Sequence, residues 1–440
     1  MSEPARTPAP RYVLVSVDHD ASHGGIGTYV QHVVPALAAA GWEVHLITRP
    51  GPTAPAAAHL HAVRTIDREP GFAERVTRLR TLDRIRPYRY GLWALAVAER
   101  LLTLPFEPAV VEFVDSRAEG IVALRSRRVR GAMPRTSMII SAHTPMGVIE
   151  TMNGDDPTRF GRARYHGWER AALAAADGVI TPSRALRDHL TLASPTLVSP
   201  HPFPVPPRPD DACDVRGEDV LVAASLQPAK GVEDWARSLN DVLRARPRTM
   251  AHLIGPDTPT GPGGGSMSDH LRTCLEPALR GRLRRHGPRS AAFVASLMRV
   301  AGLVVVPSRF DSFSFVAAEA LAAACPVVVT EGVGVREHVP SLAVVPAGNV
   351  PALARAQIER LENTADARAE MLAARAELVA ACAPGPVIAT RTEWLATLPP
   401  PRLPVDAGAP DPLDEMRAFL TETERLERCA GGTPVGAPAS

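Results

Sequence analysis

YVLVSVDHDASHGGIGTYVQHVVPALAAAGWEVHLIT, residues 12–48, holds the reading that decides the fold. Tyr12 to Val17 is an apolar, β-branched run that stops at Asp18, and such runs read as buried strands. The turn residues SHGGIG follow, and from Thr28 to Ala40 the apolar positions recur at helical spacing. Gly41 stands where a helix C-cap is expected, and Glu43 to Thr48 reads as a second strand. Strand, glycine loop, helix and strand in that order form the repeating unit of a parallel sheet.

The alternation continues with strands at Ala109 to Val114, Met138 to Ala142 and Gly178 to Thr181. It is interrupted by PHPFPVPPRPDD, Pro200 to Asp211, where six prolines fall between Pro200 and Pro209. Proline lacks a backbone N–H and fixes φ, so neither a helix nor a central strand can run through this stretch. Strands then resume at Val220 to Ala224, Met250 to Ile254, Gly302 to Val306 and Pro326 to Thr330. The expected fold class is α/β, with two Rossmann-like parallel-sheet domains facing each other across a cleft. The N-terminal domain spans residues 1–205 and the C-terminal domain 212–384. Residues 385–440 hold a crossover helix (Val387 to Leu398), an amphipathic piece (Pro412 to Cys429) and a disordered end.

At 440 residues the chain exceeds one compact core and suits two domains. With 45% apolar and 22% charged residues it reads as a folded globular protein. Its 49 basic and 47 acidic residues nearly cancel, which argues against a nucleic-acid partner. Cys213, Cys274, Cys325, Cys382 and Cys429 lie far apart without a C-x-x-C pair, so they predict neither a disulfide framework nor a zinc site. The opening MSEPARTPAP has no apolar stretch, and no run reaches 18 uninterrupted apolar residues, so a cytoplasmic location is expected. Lys230 is the single lysine; the other 48 basic residues are arginine. Abundant alanine and 44 prolines suggest a coding bias against lysine codons, as in a high-GC bacterium, so a retained lysine invites a functional reading.

Four segments fall at the carboxyl ends of strands, the edge where open α/β sheets bind ligands. HGGIGT, His23 to Thr28, is either an ordinary tight turn or a loop whose glycines let backbone N–H groups approach an anion. Val30 occupies the place of a third glycine, which argues against a nicotinamide cofactor. In ASLQPAKG, Ala224 to Gly231, Lys230 is either a solvated lysine or a cation for a phosphate at the following helix. PSRFDSFSFVAAEALAAACPVVVTE, Pro307 to Glu331, places Asp311 before a helix start and Glu319 one turn into the helix. An acid there can grip a diol through two hydrogen bonds, or merely lie on a solvated face. His143, in MIISAHTPMG, follows a strand and can exchange a hydrogen bond with a sugar hydroxyl or be structural.

Together these segments resemble the retaining glycosyltransferases of family 4, which have the two-domain glycosyltransferase B fold, over roughly Tyr12 to Leu398. The most specific match is FDSFSFVAAEALAAACPVVVT, which looks like the family's pair of acids eight apart followed by a Pro-Val-Val strand. GGIGTYV, ADGVITPSRALRDHL (Ala176 to Leu190) and the Lys230-Gly231 pair support it. The resemblance implies that Glu319 holds the ribose hydroxyls, Asp311 and His143 contact the donor sugar, and Lys230 sits on the pyrophosphate. Gly24 and Gly25 would face it from the other domain. The backbone of Phe313, Ser314, Phe315 and Val316 would lie near phosphates and sugar. The family arginine five residues before the lysine is Ser225 here, its first acid is the shorter Asp311, and its glycine is Ser314. Either another arginine, such as Arg309 or Arg184, supplies the missing charge, or the donor sits differently, or catalysis is weak or absent; the first is expected, because the chain is rich in arginine and keeps Lys230.

The implied reaction is transfer of a sugar from a nucleotide diphosphate, as co-substrate, to a small-molecule or glycan acceptor with retention. Lys230 and helix N-termini would stabilise the leaving diphosphate. The adjacent acid pairs Asp155, Asp156 and Asp210, Asp211 lie in loops, and neither a metal nor a further cofactor is expected. Glu112, Asp115 and Glu119 in VVEFVDSRAEG are the candidate acceptor-binding acids. The basic stretch Arg75 to Arg89 resembles membrane-touching helices of some relatives, but the nearly neutral chain does not favour membrane contact. A silent nucleotide-sugar binder and a nucleotide-sugar epimerase or phosphorylase on the same fold are the alternatives. The composition suits a high-GC bacterium, where the resemblance implies a role in biosynthesis of specialised metabolites, thiols or glycoconjugates.

Overall fold

The computed structural model describes residues 9–19, 24–51, 55–63, 82–156, 158, 160–206 and 217–401. The N-terminal domain opens with β1 (Arg11–Val15), α1 (Gly25–Ala39), β2 (Glu43–Thr48), β3 (His59–Ala62) and α2 (Leu82–Leu102). It continues with β4 (Val110–Val114), α3 (Ile121–Arg130), β5 (Ser137–Ser141), α4 (Met146–Met152), α5 (Phe160–Ala175), β6 (Gly178–Thr181), α6 (Arg184–His189) and β7 (Thr196–Val198). These strands form one parallel sheet in the order β3-β2-β1-β4-β5-β6-β7.

The second domain begins with β8 (Val220–Ala223), α7 (Val232–Ala245), β9 (Ala251–Ile254), α8 (Met267–Thr273), β10 (Leu283–Gly287) and α9 (Ala291–Val300). Then come β11 (Leu303–Val306), α10 (Phe315–Ala322), β12 (Val327–Thr330), β13 (Ala343–Val345), α11 (Val350–Glu362), α12 (Thr364–Cys382) and α13 (Pro384–Ala396). Its sheet is parallel in the order β10-β9-β8-β11-β12-β13. In each sheet the strand order reverses beside the first strand, between β1 and β4 and between β8 and β11. That reversal opens a crevice at the carboxyl ends, and the glycine loop and the Lys230 loop both leave the first strand there.

The central strands are buried along their length (β4 and β11 on every residue), as helix cover on both faces requires. The expected central strands lie where the apolar runs predict, with ends shifted by one or two residues. Edge strands β3, β7, β10 and β13 escape such a reading, because edges need no apolar run; β3 has no fully buried residue. One buried apolar cluster crosses from Tyr29, Val30 and Val33 of α1 through Phe203 of the hinge to Phe315 and Leu321 of α10 and Ile388 of α13. Helix α13 thus returns from the second domain to the first: a Cβ on Gly178 would lie 2.6 Å from Trp394, so β6 needs glycine where this helix crosses. The stretches 207–216, Arg75 to Thr81, His23 and Pro412 to Cys429, with the chain end, lie outside the described residues.

Candidate active site

The donor-side loops are fixed by close backbone approach. Gly231 has φ +62 and caps α7, and a Cβ there would stand 1.8 Å from the Pro307 carbonyl oxygen, so only glycine fits. The backbone N–H groups of Arg309 and Phe310 donate to the Ala229 carbonyl, at 2.9 and 3.2 Å. The loop after β8 is thereby tied to the loop after β11, and Lys230 Nζ comes within 2.9 Å of Asp311 Oδ2. Both side chains of this ion pair keep partial solvent access, 21% and 18%.

Asp311 is held in turn by the loop after β12. Its N–H donates to Gly332 and its carbonyl accepts from Gly334, at 2.9 and 2.8 Å. Helix α10 starts at once after Ser314, which has φ +80, the left-handed region where glycine is at ease, while its Oγ accepts from Ala317 N at 3.4 Å. The backbone of Phe315 and Val316 therefore begins a helix beside Lys230 and Asp311, and helix starts favour anions. The rings of Phe313 and Phe315 are buried; only their backbone can serve a ligand. Glu319 makes no side-chain hydrogen bond or ion pair among the described residues, and burial pushes its carboxyl up to about 7. Arg309 differs from its expected role: it is clamped by Asp234 of α7 at 2.8 and 2.9 Å, which neutralises it. Arg184 is exposed, and its backbone N–H donates to Glu337, so of the two arginines only Arg309 has its guanidinium taken by an acid.

Across the cleft, Gly24 has φ +89 and nothing within 4 Å of a Cβ, so conformation rather than space calls for glycine. Gly25 opens α1, where a Cβ would touch the Phe315 ring at 3.6 Å. His143 is buried, with Nε2 unpartnered, its ring edge-on to Tyr29 and stacked on His201, both at 4.6 Å between centroids. Burial, with Arg391 nearby, lowers it to about 3, so it stays neutral at physiological pH. Its carbonyl accepts from the Ser312 hydroxyl, which joins it to the Asp311 loop.

The three expected acceptor acids separate. Glu112 is wholly enclosed, and its oxygens take hydrogen bonds from the Tyr12 and Tyr29 hydroxyls, the latter at 2.6 Å. It is a core residue rather than an acceptor ligand, because β4 runs through the middle of the sheet and leaves it no open face. Glu119 is also enclosed: both oxygens accept from Val17 N at 3.1 Å, which anchors the loop after β1. Burial raises its carboxyl to about 8. Asp115 accepts from Thr144 N at 3.1 Å through Oδ2, while its buried Oδ1 has no partner; burial raises it to about 7.

Several residues of the site carry no sequence signal of their own. His201, in the proline hinge, lies between the His143 ring and a parallel Phe315 ring at 5.5 Å. Arg391 of α13 is buried and donates to the Tyr29 hydroxyl at 2.8 Å and the Pro200 carbonyl at 3.1 Å. Asn153, just past α4, donates to Gln227 Oε1 and accepts from Ala229 N, both at 2.9 Å, and so bridges the two domains one residue before Lys230. Glu169 accepts from Arg117 N, Met146 N and Gly147 N at 3.1 Å, stapling the loops after β4 and β5.

Two Rossmann-like domains, with a lysine, a facing glycine turn and an acid-bearing helix start between them, define the two-domain glycosyltransferases. Residues 23–197 match the profile of Glycosyltransferase Family 4, and residues 217–363 match that of Glycosyl transferases group 1. The chain belongs to these glycosyltransferases, with the glycosyltransferase B fold, and acts on nucleotide-sugar donors. It is 26% identical over 350 residues to a glycogen synthase of Mycobacterium tuberculosis, covering 72% of this chain and 76% of that one. It is also 26% identical to a D-inositol 3-phosphate glycosyltransferase of Frankia alni, covering 72% and 80%. Among solved structures, a sucrose-phosphate synthase of Thermosynechococcus elongatus superposes with a TM-score of 0.66 at 20% identity, over 88% of this chain and 99% of that one. An E. coli trehalose-6-phosphate structure bound with UDP-2-fluoro glucose gives 0.63 at 16% identity, over 89% and 100%.

Proposed function

We propose that the protein moves a sugar from a nucleotide diphosphate to a hydroxyl-rich acceptor, with retention at the anomeric carbon and without a metal. The observation that carries this reading is Lys230 Nζ 2.9 Å from Asp311 Oδ2, at the start of α10 and on the same segment as the sheltered, unpartnered Glu319. Bond breaking leaves negative charge on the diphosphate. Lys230 and the N–H groups opening α10 are fixed beforehand where that charge develops, so no reorganisation is needed as the bond breaks. Glu319 holds the ribose diol, and Asp311, relieved of Lys230 by the diphosphate, turns to the sugar. Neutral His143 takes a sugar hydroxyl on its free Nε2, and Gly24 and Gly25 lie opposite the phosphates. The leaving phosphate accepts the acceptor's proton on the face it departs from, so no protein nucleophile is assigned.

Acceptor recognition falls to Asp115, which has an oxygen to spare, whereas Glu112 and Glu119 have theirs engaged. The relatives' names, glycogen synthase and D-inositol 3-phosphate glycosyltransferase, fit hydroxyl-rich acceptors. A bacterial cytoplasmic role in specialised-metabolite, thiol or glycoconjugate biosynthesis accords with the composition. A single lysine makes the test direct: an amine-selective reagent labels Lys230 and the α-amine only. A panel of UDP, GDP, ADP and dTDP sugars is screened for protection of Lys230 and for nucleoside diphosphate release, with and without acceptors and EDTA. Protection with acceptor-dependent release in EDTA supports the reading. Protection without release in every combination favours a silent binder, a reading to which Ser225 and the neutralised Arg309 lend weight.

A further inference from the structure

Away from the Lys230–Asp311 pair, three chemically distinct ligand groups meet where α8 packs on α7. Glu233 lies in the first turn of α7, His270 is on α8 and Cys274 caps the end of α8. The His270–Cys274 spacing of four puts both side chains on one face of the helix. His270 Nε2 stands 3.4 Å from Glu233 Oε2 and 3.8 Å from Cys274 Sγ, and all three ligand atoms lie within 4.8 Å of one another. Tetrahedral zinc, with bonds of about 2.0 Å to nitrogen and oxygen and about 2.3 Å to sulfur, spaces its ligand atoms by about 3.3–3.6 Å. Two of the three spacings are therefore already close to a zinc edge. Among the described residues this is the one such grouping of histidine, cysteine and acid.

The surroundings suit a metal as well. Arg237, one turn along α7, donates to Glu233 Oε1 at 2.6 and 3.0 Å. It occupies the far oxygen, orients the carboxylate and leaves Oε2 toward His270, as hydrogen-bond partners of metal-binding carboxylates do. All three residues are partly accessible, so an ion has a way in. Sequence spacing alone does not reveal the site, since Glu233 is supplied by a different helix.

We propose that Glu233 Oε2, His270 Nε2 and Cys274 Sγ bind a zinc ion whose fourth position is water. On binding, the hydrated ion sheds all of its waters but one as its coordination falls to four; the Cys274 thiol loses its proton to solvent and the neutral imidazole gives its Nε2 lone pair. One proton is released per ion, so affinity rises with pH, the more so because burial raises the thiol above its usual range. The ion clamps α7 to α8 and takes no part in sugar transfer.

The test is Co²⁺ titration of the full-length chain, read by the near-ultraviolet thiolate-to-cobalt charge-transfer band, with Zn²⁺ as competitor. The expected result is one equivalent of cobalt, a band abolished in Cys274→Ser, at least a tenfold weaker affinity in His270→Ala, and displacement by zinc. Zinc should also raise the wild-type melting temperature and not that of Cys274→Ser. Both variants should keep the wild-type rate of nucleoside diphosphate release in EDTA, which shows that they fold. No band, or a band that persists in Cys274→Ser and so arises at another cysteine, overturns the proposal. If a variant fails to fold, absence of a zinc-induced melting shift in the wild type does so alone.

Discussion

Replacing Lys230 by methionine keeps the unbranched stem, one atom shorter, and removes its charge. Two effects follow and differ in size. The Lys230–Asp311 pair is partly exposed, and such pairs contribute between 0 and about 1 kcal/mol to stability. Melting should therefore fall by no more than about 4 °C. Under the proposed function the charge acts on the diphosphate in the cleft. An ammonium about 4 Å from one unit of developing charge is worth about 4 kcal/mol at an effective dielectric near 20. Discounting for the partial exposure of Lys230 leaves about 3 kcal/mol, a loss of about 10²-fold in kcat/KM.

Position 225 is serine and the Arg309 guanidinium is taken by Asp234, so neither buffers that loss. The assay is nucleoside diphosphate release at sub-saturating donor, beside melting curves with and without the nucleotide. Lys230→Met should lose most of the nucleotide-induced shift, and Lys230→Arg should recover part of the rate. A rate within fivefold of wild type, with the shift intact, would refute the phosphate role.

Three further outcomes are expected. Ser314→Gly relieves a left-handed strain of about 1–2 kcal/mol but frees the unfolded chain and gives up a long cap bond, for a net gain of about 0.5 kcal/mol. Differential scanning fluorimetry should show a rise of about 1–2 °C, and a fall of more than 2 °C would contradict it. Arg391→Met should cost about 3 kcal/mol, since it strands Glu112 among buried tyrosines; adding Glu112→Gln should restore part, and additive denaturant midpoints would argue against coupling. Glu319, raised from 4.5 to about 7, stays protonated in the fold where the unfolded chain has ionised, so its contribution to stability is present at low pH and lost as pH rises through 7. If the carboxylate holds the ribose, donor KM should fall about tenfold from pH 6 to 8. A profile unchanged by Glu319→Gln would remove Glu319 from that role.

What was legible in the sequence divides along a physical line. Buried strands must be apolar and glycine loops must be glycine, so the central strands, both switch-point loops and the helix carrying Glu319 could be read from residue type. Edge strands bury too little to leave a mark. Polar residues satisfied across long sequence separations leave none either: Glu112 and Arg391 meet Tyr29 from 83 and 362 residues away, and Asn153 reaches Ala229 across 76. Glu112 is such a residue, and Lys230 differs from it in how its place is set. An acid just before a strand's carboxyl end has the same local sequence whether it faces a cleft or a tyrosine pair, and only the fold decides. The lysine belongs to a loop whose glycine cannot be replaced without striking Pro307, so its position follows from the backbone. The missing arginine sharpens the point. With Arg309 held by Asp234 and serine at 225, neither position offers a free positive charge, and under the proposed function the helix start of α10 takes a larger share of the diphosphate charge. The strained φ of Ser314, which directs the backbone at that start, thereby acquires a functional consequence that its side chain alone does not announce.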